Sequence, residues 1–152
     1  MRGTMLGLLA TAMVAWGQSG QAAEDKQGGS DKHATAFMDC ARACGSCAGI
    51  CDACTAHCAR LLAEGKKEHF KTLRTCQDCA TICAAAACVT ARGGPFSDAI
   101  CTACAESCKR CGEACAKFKD DDSMRRCAEE CSKCEKACRT MLEHAKHPSA
   151  GK

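Results

Sequence analysis

Water-avoiding positions recur along the chain at alternating steps of four and three residues. In the stretch Cys40, Cys44, Cys47, Cys51, Cys54, Cys58 the steps are four, three, four, three, four. The same alternation runs through Cys101, Cys104, Cys108, Cys111, Cys115 and through Cys127, Cys131, Cys134, Cys138, and a shorter set comprises Cys76, Cys79, Cys83 and Cys88. Alternation of three and four averages 3.5 residues, the period of one stripe on an α-helix. Each alternating set therefore lies on one face of one helix. His33, Phe37 and Leu61 extend the first stripe, Phe118 the third, and Met124 and Met141 the fourth. The intervening Ala, Glu, Lys, Arg, Asp and Thr suit a solvated helix face.

Turn and cap residues fall between the stripes. Ser30 or Asp31 is placed to cap the first helix, and Gly65 to end it in the left-handed conformation. Gly93-Gly94-Pro95 separates the second and third helices, with Ser97 or Gly94 as the cap. Asp120-Asp121-Asp122-Ser123 separates the third and fourth, and its negative charge suits a helix N-terminus. Pro148 ends the last. Short connections make neighbouring helices antiparallel, so the expected fold is all-α: an up-down-up-down four-helix bundle with a cysteine-lined core over residues 32–147. No repeat of constant length supports a solenoid.

The N-terminal segment has a different character. Arg2 precedes an apolar stretch, Met5 to Trp16, of 12 residues. That is too short to span a bilayer, and Gly20-Gln21-Ala22 offers a cleavage site. Residues 1–23 read as a signal peptide, 24–31 as a flexible polar leader and 148–152 as a tail. The mature chain is expected to be exported to the periplasm and to carry no membrane span.

Composition narrows the chemistry. The 152 residues carry 21 basic and 18 acidic side chains, and the basic ones form neither runs nor alternations with aromatics. A nucleic-acid partner is not expected. With one Trp, no Tyr and four Phe, and few large aliphatics after residue 30, the core must be built from its 19 cysteines. Such a content marks a disulfide scaffold or a metal-loaded protein.

Spacing separates those two. Cβ atoms at i and i+4 of a helix lie about 5–6 Å apart, whereas a disulfide needs about 3.5–4.5 Å. Bridges within a stripe would unwind the helix, and the cysteine count is odd. Thiolates are soft ligands that select Cu(I), Zn or iron–sulfur clusters. Two thiolates one turn apart grip a two-coordinate ion, which Cu(I) accepts, while Zn takes four tetrahedral ligands. One Cu(I) per bridging thiolate leaves the core neutral and avoids burying net charge. One Zn per four thiolates leaves it negative. Iron–sulfur ligation fits worst, because no Cys-x2-Cys-x2-Cys-x3-Cys-Pro run is present. Two alternatives stand beside multiple Cu(I) ions: a disulfide-stabilised helical interaction module and a Zn-thiolate binding protein. An enzyme is not expected. His57 sits about 100° off the face of Cys58, no Ser/His/Asp set or phosphate loop is present, and repetition singles out no one place for catalysis.

The segments CARACGSCAGICDACTAHC, CTACAESCKRCGEAC and CAEECSKCEKAC resemble the bacterial copper storage proteins. The resemblance covers about Asp31 to His147. It implies a bundle that stores or sequesters many Cu(I) ions along its axis, assembled as a homo-oligomer, a tetramer in characterised members, with copper chaperones or cuproenzymes as partners. It implies metal-binding pairs at Cys40/Cys44, Cys47/Cys51, Cys54/Cys58, Cys79/Cys83, Cys104/Cys108, Cys111/Cys115, Cys127/Cys131 and Cys134/Cys138. Cys76 and Cys101 share the stripes and join the expected ligands. Cys88, five residues after Cys83 and so about 140° away, faces outward unless the helix is distorted. Exported members carry twin-arginine signals; only Arg2 is present here, which leaves the Sec and Tat routes open.

Topology places His33, Met38, Met141 and His144 at one end of the bundle, with His147 beside them, where imidazole and thioether suit an entrance for metal. The other end collects Leu61, Leu62, Phe70, Phe118 and Met124, with His69 nearby, and is expected to be closed by packing.

Overall fold

The computed structural model describes the backbone of residues 21–146 and the side chains of residues 34–146. The apolar stretch of the expected signal peptide, the His33 side chain, His147 and Pro148 lie outside the described residues. The described elements are α1 (Gln21–Ala63), a single 3-10 turn (Lys67–His69), α2 (Phe70–Ala91), α3 (Ser97–Cys115) and α4 (Asp122–Lys146). Each helix packs on the one before it, and α4 closes back on α1. This is the expected up-down-up-down bundle.

The turns follow from local chemistry. Gly65 has φ +86°. Its N–H donates to the Leu62 carbonyl at 2.9 Å, and Lys66 N–H donates to Leu61 at 3.0 Å. This pair of bonds satisfies the last carbonyls of α1, and only glycine adopts that backbone without strain. Gly93, with φ +57°, closes α2 in the same way onto Thr90 and Val89. Asp121 caps α4: its Oδ1 accepts from the N–H of Ser123 at 2.9 Å and of Met124 at 3.1 Å.

Two local expectations are corrected. α1 runs through 24–31, so that segment is helical and neither Ser30 nor Asp31 caps it. Ala22, Ala23, Glu24, Lys26 and Gln27 are strong helix formers, and Gly28-Gly29 costs only about 1 kcal/mol per residue. At α3 the cap is Phe96, with no side-chain bond, rather than Ser97 or Gly94. Ser97 is already the first helical residue, and its hydroxyl turns back to the Gly94 carbonyl at 2.7 Å.

Inside the bundle, the buried face of every helix is mostly sulfur. Thr90, Met124 and Met141 are its largest fully buried side chains. On α2, Ala86 and Thr90 continue the stripe after Cys83, and the uninterrupted helix leaves Cys88 exposed. Phe37, Leu61 and Phe118 pack against the sulfur core from its edges.

Candidate metal centre

Eighteen cysteines are buried and all nineteen are free. Their sulfurs form one continuous column. At the end of the column nearest the turn between α2 and α3, Cys40 Sγ lies 3.7 Å from both Cys101 and Cys138. Cys44 follows at 3.8 Å from Cys104, 3.7 Å from Cys134 and 3.6 Å from Cys138. Midway, Cys47 contacts Cys108 and Cys131, and Cys83 lies 3.5 Å from both Cys104 and Cys108. Further down, Cys51 meets Cys111, Cys127 and Cys131, and Cys76 bridges Cys111 and Cys115. The column ends at Cys54, whose sulfur is 3.5 Å from the Met124 thioether, and at Cys58, fully buried one turn further along α1.

These separations are far beyond the ~2.05 Å of a disulfide. They leave room for a metal ion between sulfurs. Within a helix, Cys40/Cys44, Cys47/Cys51 and Cys79/Cys83 approach to 3.8–4.0 Å. Most other close contacts join different helices, so the bundle, rather than the i,i+4 spacing alone, assembles the ligand sets.

Four-sulfur groups occur throughout: Cys44/Cys104/Cys134/Cys138, Cys47/Cys51/Cys79/Cys131, Cys47/Cys83/Cys108/Cys134, Cys51/Cys111/Cys127/Cys131 and Cys54/Cys76/Cys115/Cys127. They share members. Cys47, Cys51, Cys127, Cys131 and Cys134 each serve two groups. Isolated tetrahedral ions with private ligands cannot fill all of them at once. Bridging thiolates can.

The protonation pattern is interleaved. S–H donors at Cys111, Cys54 and Cys76 hold Cys115 down to about 6. Cys54 and Cys76 do the same for Cys58, which falls to about 3 with help from the nearby His69 and His57. The donor thiols are held the other way: Cys51, Cys54, Cys76, Cys131, Cys134 and Cys138 are raised, because their protons bond to neighbouring sulfurs. Thiol networks of this kind hold part of their sulfur ready as thiolate, the form that binds metal.

The two ends of the column differ from expectation in detail. Met141 is fully buried, but Met38 and His144 are exposed and line separate grooves. His144 shares a groove of about 550 Å³ with Cys40, between α1 and α4. Met38 lies across α1, beside Thr90 and Arg92. At the other end Phe70 is exposed rather than packed, since the turn before α2 points it outward. His69 takes its place: it is buried and stacked on Phe118 with centroids 4.2 Å apart. Its Nδ1 has no hydrogen-bond partner. The pairing of His57 with Asp121 at 2.7 Å was not legible from spacing, which places His57 only as about 100° off the Cys58 face.

A four-helix bundle whose axis is a column of free, buried, mutually bridging thiols defines a protein that holds many soft metal ions. The chain matches the copper storage protein (Csp) family model over residues 32–143 and belongs to that family. A solved cytosolic copper storage protein from Streptomyces lividans, described as loading five coppers, is 33% identical with a TM-score of 0.68, and the match covers 74% of this chain and 97% of that one. The Cu(I)-bound copper storage protein BsCsp3 is 31% identical with a TM-score of 0.51, the match covering 75% and 98%. An uncharacterized cysteine-rich protein, YhjQ of Bacillus subtilis, is 36% identical over 88 residues, 57% of this chain and 71% of that protein.

Proposed function

We propose that this chain stores or sequesters Cu(I) in its bundle, without catalysis, at about one ion per buried thiolate. The observation that carries this reading is the sharing of sulfurs between adjacent four-thiol groups. Each shared thiolate bridges two ions, so thiolate and Cu(I) charges cancel and the core stays neutral. The buried cysteines are the ligands; Cys88, exposed, is not one of them.

The chain is exported, with a leader ending near Ala23; the support is Arg2, the apolar stretch to Trp16 and the small residues at Gly20 and Ala22. The Streptomyces relative is described as cytosolic, so fractionation and N-terminal sequencing of the expressed protein decide its compartment. By family likeness the bundle assembles with copies of itself and passes copper to chaperones or cuproenzymes.

Anaerobic Cu(I) titration of the reduced protein, with metal analysis, tests the reading. The expected result is a plateau near the number of buried cysteines. Weak Cu(I) binding together with tight Zn binding near one ion per four cysteines would establish the Zn-thiolate alternative instead.

A further inference from the structure

We propose that the groove between α2 and α3 is a lateral port through which a small peptide thiol, bearing ammonium and carboxylate groups, delivers Cu(I) to Cys79 midway along the core. The proposal rests on the storage reading. The groove has a volume of about 720 Å³ and runs along the outside of the bundle, from the end marked by Lys71 and Lys117 to Ala103 and Ile82 on the two helices. It forms because α3 presents Ala103, Ser107 and Ala114 toward α2, and none of these fills the seam. Cys79 lies at its floor. Ser107 stands between groove and core: its half-buried hydroxyl bonds the Cys104 carbonyl at 2.9 Å and lies 3.9 Å from Cys79 Sγ.

The walls choose the ligand. Arg110 is engaged by Glu106 at 2.7 Å. Lys71, Asp78, Glu113 and Lys117 line the same groove and have no ion-pair partner among the described residues. The antiparallel helices bring Lys71, at the start of α2, to the end of the groove occupied by Lys117, just past α3. Asp78 is seven residues further along α2, about 10 Å at 1.5 Å per residue. A two-lysine end, with Glu113 one turn and Asp78 two turns further along the groove, matches a short peptide with carboxylates at one end and an ammonium at the other. A single amino acid is too short to reach from the lysines to Asp78.

Delivery is ligand exchange without redox change. The carrier's sulfur–copper bond breaks, a Cys79 sulfur–copper bond forms, and the Cys79 thiol proton leaves on the released carrier thiol. Copper remains Cu(I). The ion then has sulfurs of Cys83 and Cys108 at 3.8 Å to move to.

The test compares two donors on the full-length reduced protein: Cu(I) carried by glutathione as the peptide-thiol probe, and Cu(I) carried by β-mercaptoethanol, which is neutral and lacks both charged ends. Uptake rate and final copper content are both read. The wild type should load faster from glutathione. The surface variant Lys71→Glu/Lys117→Glu should lose roughly tenfold in that rate, the lower end of what a charge-lined cleft adds to association, with its β-mercaptoethanol rate kept. Ser107→Leu should bring glutathione loading down to the β-mercaptoethanol rate, with final copper content unchanged. Glutathione rates that stay at wild-type values in the charge variant, or a charge variant slowed equally with both donors, overturn the port, and this arm decides even where Ser107→Leu does not fold. A wild type that takes up little copper from either donor overturns the storage reading instead.

Discussion

The imidazole Nε2 of His57 on α1 lies 2.7 Å from Oδ2 of Asp121, the residue whose other carboxylate oxygen caps α4. One carboxylate thus starts the fourth helix and ties it to the first, directly beside the end of the sulfur column. Replacing Asp121 with Ala removes both contacts and is expected to cost about 1 kcal/mol of stability in the apo protein. Asn keeps a capping oxygen, so Asp121→Asn should cost less. Partial burial works against the charged form of Asp121, but His57 and the N–H groups of Met124 and Ser123 hold its pKa below the ordinary 3.8. A depressed carboxyl stabilises the fold above its unfolded value and loses that contribution as the pH falls through its lower folded value. The stability difference between wild type and Asp121→Ala should therefore be full at pH 5 and shrink below about pH 4. Thermal melts of both proteins across that range check this.

The helices and their buried faces were legible because a stripe of one residue type at steps of three and four has a single helical reading. The turn at Gly65 was legible for a similar reason, since its position past the last stripe residue leaves few alternatives. At α4 only the acidic run 120–123 was legible, and the structure picks Asp121 from it as the cap. The ligand sets were only partly legible. Spacing names Cys40 and Cys44 as neighbours, but only the packing of four helices shows that Cys44 also meets Cys104, Cys134 and Cys138. His69 illustrates the remainder. Its burial against Phe118 depends on a 3-10 turn between helices, and periodicity says nothing about a residue outside the periodic segments.

Cys88 and Cys44 should separate cleanly in copper capacity. Cys88 is exposed on the far side of α2, so Cys88→Ser should leave the Cu(I) plateau unchanged. Cys44 has four sulfurs within 4.0 Å. Cys44→Ser should lower the plateau by about one ion, because a hydroxyl is a poor ligand for a soft metal. Metal analysis after gel filtration reads both. Equal losses in the two variants would show that outward thiols also hold stored copper.

Thiolate content should change with pH in two well-separated ranges. Cys115, held down by Cys111, Cys54 and Cys76, ionises near 6. At Cys101 the contact with Cys138 works toward the thiolate, but Cys40 and burial outweigh it and raise the thiol to about 11. In the apo protein, the depressed Cys115 contributes stability that is complete above the ordinary 9.0 and is lost as the pH falls through 6. The raised Cys101 contributes stability present below 9.0 and lost as the pH rises through 11. Cys44 is also held down to about 6, so in an ultraviolet thiolate titration of the reduced apo protein Cys115→Ser should shrink the low-range step, while Cys101→Ser should remove the high-range one. Copper competes with protons for every thiolate, so Cu(I) affinity should weaken as the pH falls.

Besides the lateral port, the two ends of the axis are candidate exchange sites, and they differ in the soft ligands beside their last sulfurs. At the Cys40 end, a groove of about 550 Å³ carries His144 and reaches Cys40 itself, and Met141 lies fully buried in the same turn of α4 as His144. At the Cys54 end, the His69 and Phe118 rings stack, and Met124 is fully buried against Cys54. The terminal sulfurs are buried at both ends, and Cys54 also lines a small groove, of about 180 Å³. What sets the first end apart is the exposed His144 beside Cys40, a weak soft-metal ligand reachable from solvent, where His69 and Met124 at the second end are buried. Imidazole and thioether bind Cu(I) less strongly than thiolate, which lets an ion pause and move inward. Replacing His33, Met38, Met141 and His144 together with Ala or Leu should therefore alter the rates of Cu(I) uptake and of removal by a competing chelator, while total capacity stays nearly the same. Met38, which lies outside the Cys40 groove, should contribute least when the four are changed singly. His69→Ala and Met124→Leu should leave uptake rates close to wild type and affect only the last ions bound, since their donor atoms face the interior. If the first set of changes leaves exchange untouched and the second slows it, copper enters past His69 and Phe118, and the orphaned Nδ1 of His69 is its first ligand rather than its last.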